Sequence, residues 1–330
     1  MSETKTAVCL GNFDGVHIGH RRLLEQTVRT AQEKGLKPVA YTFSSHPLSL
    51  LGQGTLLLTL PDERRSLLMQ AGVTPVEDDF AAVRDLSPQE FFEQVLLGRL
   101  HAGAVLCGAG HRFGKGASGD AKTLCALCAQ AGISCVVLPS LTVEGRAVSS
   151  SWIRQCVTRG DMEKAALLLG RPFSVTGPVL HGKELGRKLG TPTVNQALPQ
   201  GRVTPRHGVY AAFVLVGGAR YAGAANVGLR PTVEGESLNV ETHILDYQGD
   251  LYGRVITVEL LRHLRDERRF ADVGALQSTA ASPGFPQRPP GAAHLHGAAG
   301  YADVFAALLP VRGQRAGRPG PLDKGKNPVI

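Results

Sequence analysis

The chain has 330 residues, 43% of them hydrophobic, which suits two packed globular domains. No run of eighteen apolar residues occurs, and the N-terminus MSETKTAVCLGNFDG lacks the apolar core and cleavage pattern of a signal peptide, so neither a transmembrane helix nor a secreted protein is expected, and the location read here is cytoplasmic. Of the formal charge of +8, residues 278–330 supply +4 (six Lys/Arg, two Asp/Glu), so the remaining +4 is spread thinly over 277 residues; that weakens a nucleic-acid reading and suits phosphorylated small molecules equally well.

Taken in order, TAVCLG is a short apolar run closed by glycine and predicts a buried strand. HRRLLEQTVRTAQEKG has helical spacing and stops at Gly35, and KPVAYTF is a second strand. PDERRSLLMQAG is a helix opened by Pro61, and SPQEFFEQVLLGRL another, with Ser87 as N-cap and Glu90 three residues later. AGAVLCG (strand), AKTLCALCAQAG (helix) and SCVVLP (strand) follow, then the helices SSSWIRQCVTRG and DMEKAALLLG. Strand and helix alternating in this way predict an α/β fold with a doubly wound parallel sheet over residues 1–170.

From residue 171 the runs FSVTGPVL, GVYAAFVLV, YAGAANVG, LNVETHILD and RVITVELL are separated by glycine-containing turns, which predicts a small antiparallel β-barrel over 171–277. Residues 278–330 hold eight of the twenty prolines and eight glycines, a composition expected to be disordered. All six cysteines lie in the first half and read as reduced thiols. Cys125 and Cys128 form a C-x-x-C inside a helical pattern, without a second ligand pair, and read as small packing residues.

Two groups of residues carry chemistry. In GNFDGVHIGH (11–20), Gly11, Asn12, Phe13, Asp14 and Gly19 surround His17 and His20 between a strand and a helix. That is where an open α/β sheet places a ligand crevice and where helix N–H groups favour an anion. Ser149, Ser150 and Ser151 can donate hydroxyls to phosphate and open the helix carrying Arg154, a fixed charge. Arg112 is either a contact to a substrate phosphate or a loop charge. In the second group, the basic, glycine-rich loop GPVLHGKELGRKLGTPTVN offers Gly182, Lys183, Gly186 and Arg187 to ATP phosphates. Thr193 and Asn195 share one face of an extended segment and suit a magnesium ion, and Glu241 is a carboxylate able to accept a hydroxyl proton.

Beyond these readings, GNFDGVHIGH resembles the signature of the nucleotidyltransferase superfamily in its FMN adenylyltransferase branch. TFSSHP (42–47), LLTLPDERRSLLMQAGV, LSPQEFFEQVL (86–96), HRFGKGASGD and SSSWIR (149–154) continue the likeness over residues 6–170. GPVLHGKELGRKLGTPTVN, HGVYAAFV, AANVGLRPTV, VETHILDYQGDLYGR and LRDERRF are similar to the riboflavin kinase barrel found fused to it in bacteria. The resemblance implies a Rossmann-like adenylyltransferase domain and a kinase barrel acting in turn. Riboflavin is phosphorylated by ATP to FMN, and FMN is adenylylated to FAD with release of pyrophosphate. It makes His17, His20, Arg154 and Glu241 catalytic, gives magnesium–ATP to Thr193 and Asn195, and puts the flavin near Arg112 and Phe113. ATP, riboflavin and FMN are then the partners, with neither membrane nor nucleic acid.

Three departures from the family pattern stand out. Gly108-Ala109-Gly110-His111 replaces a Gly-x-Asp/Asn-Phe segment, Ser151 replaces a threonine, and after ADVGALQ the sequence leaves the family's terminal helix for STAASPGFPQRPP. Two alternatives stay open: one activity alone retained, or a non-catalytic flavin- or nucleotide-binding regulator.

Overall fold

The structure, a computed structural model, describes residues 5–44, 56–181, 193–232 and 235–266, all within one compact unit spanning 1–268. Ser45–Pro47 of TFSSHP, the loop carrying Gly182, Lys183, Gly186 and Arg187, the ADVGALQ departure and the tail 278–330 lie outside the described residues.

The N-terminal half is a five-stranded, all-parallel sheet. Its strands are β1 (Thr6–Leu10), β2 (Lys37–Phe43), β3 (Thr74–Asp78), β4 (Ala102–Gly108) and β5 (Ser134–Leu138), in the order β3-β2-β1-β4-β5. The main helices are α1 (Ile18–Lys34), α2 (Pro61–Gln70), α3 (Pro88–Glu90) continued by a π-helix (Phe91–Arg99), α4 (Ala121–Gln130), α5 (Ser150–Arg159) and α6 (Met162–Leu169), with short helical turns at Phe80–Val83 and Lys115–Ala117. Alternation along β1 separates two cores. Ala7 and Cys9 pack with Leu23 and Leu24 of α1 and Leu68 of α2, while Val8 and Leu10 pack with Phe92, Leu96 and Leu124. The sheet is therefore covered on both faces, as a doubly wound fold requires.

Local signals set the helix ends. Ser87 and Glu90 form a reciprocal capping box, and Gly35, Gly160 and Gly170 end their helices in the left-handed conformation. The segment after Glu90 is helical as expected but wound more widely, with Leu100 N–H donating to Val95 O. A Cβ at Gly98 would sit 3.1 Å from Glu93 O, so glycine makes room for that winding. Strand β3, TPVED, was not announced by any apolar alternation. It occupies the sheet edge, where a proline is tolerated.

The expectation of reduced thiols is corrected at one pair: Cys125 of α4 and Cys135 of β5 form a disulfide, with Cα atoms 5.3 Å apart. The tight turn at Gly132 folds the helix directly back along its following strand, which brings the two together. Cys9, Cys107, Cys128 and Cys156 are free and buried.

The C-terminal half is a curled antiparallel sheet of β6 (Phe173–Pro178), β7 (Thr193–Ala197), β8 (Gly208–Val216), β9 (Ala219–Thr232), β10 (Gly235–Ile244) and β11 (Val255–Arg265), in the order β6-β11-β8-β9-β10-β7. Its two edges meet where Leu180 N–H donates to Asn195 O at 2.8 Å. The buried Gln196 ties the closure, its Nε2 donating to Gly177 O and Ile256 O. The apolar faces of α5 and α6, including Ile153, Val157, Met162 and Leu168, share a core with barrel residues Val175, Tyr210 and Val258.

Candidate functional site

The first group of residues sits at the carboxyl end of β1. The neighbouring β4 also ends there, and the strand order reverses between the two, which is the place where such sheets bind ligands. The loop after β1 is held in unusual backbone: Phe13 (φ 52°), Gly15 (φ 81°) and Val16 (φ 41°) all lie in the left-handed region. Gly11 approaches closely, since a Cβ there would stand 3.1 Å from the Phe13 ring, and its N–H donates to Tyr41 O. Asn12 is exposed, its carbonyl accepting from Thr42 Oγ1.

His17 is the N-cap of α1 and its Nδ1 accepts from His20 N–H at 3.2 Å. In a neutral ring the proton is therefore on Nε2. The two imidazoles stack with centroids 3.6 Å apart, and Phe13 meets His20 edge-on. Burial pushes His17 down to about 4, with Arg171 adding to the effect, and burial followed by His17 lowers His20 well below the usual histidine range. Without ligand both rings are thus neutral near pH 7, and among the described residues His20 Nδ1 has no hydrogen-bond partner. Gly19 gives the His17 ring its room: a Cβ there would lie 3.2 Å from it.

Asp14 turns inward. Its Oδ1 accepts from Leu58 N–H (2.9 Å) and Thr59 N–H (3.1 Å), and its Oδ2 is 3.3 Å from Arg154 Nη2. Ser149 caps α5, Ser150 Oγ donates to Asp14 O at 2.9 Å, and Ser151 accepts from Arg154 Nη1 at 3.4 Å. Arg154 Nε donates to Leu56 O at 2.8 Å. His17, His20, the three serines and Arg154 are thereby gathered around one loop.

Arg112 and Phe113 follow β4 in a two-residue strand paired with Gly119–Asp120. Arg112 is exposed and donates to Ala117 O, whereas Phe113 is buried against Phe91 and stacked on His111. Open space surrounds the position a Cβ of Gly110 would take.

In the barrel, Thr193, Asn195 and Glu241 come together on β7 and β10. Thr193 Oγ1 donates to Glu241 Oε1 at 2.6 Å, and Asn195 lies directly opposite Glu241. Asn239 Nδ2 donates to Asn195 Oδ1 at 2.8 Å, and Asn226 of β9 faces Glu241 from the other side. Sequence reading did not single out Asn239 or Asn226, although the alternation Asn239, Glu241, His243 was visible in β10. Nor did it find the His181–Tyr252 ring stack, 4.0 Å between centroids, beside the barrel closure. Hydroxyl, amide and carboxylate oxygens are the hard donors magnesium prefers. Among the described residues no group of three His, Cys, Asp or Glu is gathered.

A glycine–histidine loop at the switch point of a parallel sheet is followed by a barrel with a Thr–Asn–Glu cluster, two sets of groups suited to phosphate chemistry. Residues 1–152 match the FAD synthetase family and residues 169–282 the riboflavin kinase family. The chain is 34% identical over 286 residues to the bifunctional riboflavin kinase/FMN adenylyltransferase of Bacillus subtilis (83% of this chain, 89% of the relative). It is 36% identical over 280 residues to that of Escherichia coli K12 (82% and 88%), and 36% over 275 residues to that of Pseudomonas fluorescens (82% and 88%). A solved structure described as a macrolide-efflux protein from Streptococcus pneumoniae is similar in fold, with TM-score 0.75, 29% identity, and 84% and 92% of the two chains covered. Among the described residues no helix is long and apolar enough to cross a membrane. The chain belongs to the bifunctional riboflavin kinase/FMN adenylyltransferase family.

Proposed function

We propose that this chain makes FAD from riboflavin in two ATP-dependent steps, at two sites. The observation that carries the reading is the presence, on separate folds of one chain, of the His17–His20 pair and the Thr193–Asn195–Glu241 cluster. Residues 1–170 carry adenylyl transfer and 171–277 the kinase, with 278–330 outside both; a cytoplasmic location belongs to the same reading.

At the barrel, Glu241 accepts the proton of the ribityl 5′-hydroxyl as its oxygen attacks the γ-phosphorus of ATP, and ADP leaves. Thr193 and Asn195 would hold magnesium with ATP, and the ion would supply neutralisation of phosphate charge. Thr193 also orients Glu241 by donating to it. The glycines and cations of Gly182, Lys183, Gly186 and Arg187 complete the phosphate grip.

At the sheet, a phosphate oxygen of FMN attacks the α-phosphorus of a second ATP, and the bond to pyrophosphate breaks. His17 and His20 enter as neutral donors to the phosphates, with Ser149, Ser150 and Ser151 and the backbone of Gly11, Asn12, Phe13, Asp14 and Gly19 around the nucleotide. Arg154 has Nε donating to Leu56 O, Nη2 beside Asp14 and one Nη1 N–H donating to Ser151, so its second Nη1 N–H is the one offered to phosphate. Arg112 meets the FMN phosphate and Phe113 backs the flavin loop.

Incubation with riboflavin, ATP and magnesium, with flavins resolved by chromatography, tests the reading: FMN is expected first and FAD after it. Failure to form FMN from riboflavin, or FAD from added FMN, would reduce the chain to one activity.

A further inference from the structure

Three arginines and a carboxylate meet where the barrel adjoins the His17 loop, and the mechanism above uses none of them. Arg202, between β7 and β8, is buried; its Nη1 is 2.9 Å from Glu63 Oε2 and its Nη2 donates to Ser174 O at 2.6 Å. Its guanidinium lies 5.0 Å over the Phe173 ring. Glu63 is in the first turn of α2, so the ion pair crosses from the barrel to the parallel-sheet half. Arg171, just before β6, donates to Val16 O at 3.5 Å, the residue preceding His17, and interacts with Glu63, Arg21 and Arg202.

The backbone crosses at the same place. Leu57 N–H donates to Gly201 O at 2.7 Å, and Val203 N–H to Leu57 O at 2.8 Å. On either side of Leu57, Leu56 O accepts from Arg154, Leu58 and Thr59 N–H bind Asp14, and Thr59 Oγ1 accepts from Gly15 N–H at 3.0 Å. Residues 56–59 are thus a strap with the barrel on one edge and the catalytic loop on the other. That loop needs such support: the left-handed backbone of Phe13 and Val16 persists only where its surroundings fix it.

We propose that Glu63, Arg202 and Arg171 are positioning residues for adenylyl transfer, through which the barrel holds the Asp14–His17 loop in its working shape. The inference rests on the reading of that loop as the adenylyl-transfer site. In the full chain, Glu63→Gln leaves the guanidinium groups without their carboxylate. It is expected to lower kcat for FAD formation from FMN about tenfold, with KM for ATP changed less than about threefold. Riboflavin phosphorylation should stay within about twofold of wild type. Glu63→Gln combined with Arg202→Gln restores a neutral hydrogen-bonded pair and should recover most of the lost kcat. Arg171→Gln should likewise lose about tenfold in FAD formation, and Arg171→Lys should keep most of it. Where Glu63→Gln yields no folded protein, the Arg171 pair decides. Unchanged FAD formation in the variants overturns the proposal, as does a parallel fall of both activities in proportion to lost folded protein. Wild type forming no FAD would overturn the reading of the site itself, and this inference with it, before any variant is made.

Discussion

His17 and His20 face each other as neutral rings because burial disfavours their charged forms. The unfolded chain takes a proton on His17 near pH 6.5, whereas the folded chain takes it only near 4, so stability is lost as pH falls through that window. The His17 contribution is up to about 3 kcal/mol. Urea midpoints measured between pH 7 and 4 should fall in wild type and fall less steeply in His17→Gln; parallel slopes would show that His17 is not the group responsible. Asp14 gives a second residue-scale expectation. Replacing it by alanine removes the acceptor for two backbone N–H groups and strips Arg154 of its carboxylate, a loss of about 3–5 kcal/mol seen as a lowered Tm. The histidines were legible in the sequence because strand, loop and helix are contiguous there. The inward turn of Asp14 was not, since its partners Leu58 and Thr59 lie 44 and 45 residues away.

At the scale of elements, Gln196 donates two hydrogen bonds across the barrel closure. Gln196→Ala leaves Gly177 O and Ile256 O without that donor inside the protein, and should cost roughly 1–3 kcal/mol in denaturant unfolding. An unchanged midpoint would place the closure elsewhere. The Cys125–Cys135 bridge closes a short loop between α4 and β5. Cys135→Ser should therefore lower stability by roughly 2–3 kcal/mol, and a thiol reductant should do the same to wild type but not to the variant. The longer helices and most sheet strands were readable from apolar period, prolines and caps, as at Ser87 and Glu90; β7 was read only as an extended segment, and the short helix Phe80–Val83 was not read at all. Strand β3 was hidden by Pro75 and two acidic residues, because an edge strand need not alternate cleanly. The disulfide was hidden for a different reason: pairing depends on how a helix lies against its next strand, which spacing alone does not state.

For the whole molecule, the two halves were each legible through local motifs, but their joint was not. Glu63 and Arg202 are 139 residues apart, and neither stands in a motif. The Thr193–Asn195–Glu241 cluster lay between these extremes: its members were chosen by residue type, and only the β7–β10 register shows that Asn195 faces Glu241. The central claim is that one chain holds two separable catalytic sites. It is tested most directly by assaying Glu241→Gln and His20→Ala in both half-reactions, riboflavin to FMN and FMN to FAD. Glu241→Gln should lose at least about 100-fold in the first and stay within about twofold in the second, and His20→Ala should do the reverse. Variants impaired equally in both reactions, or in neither, would contradict the account.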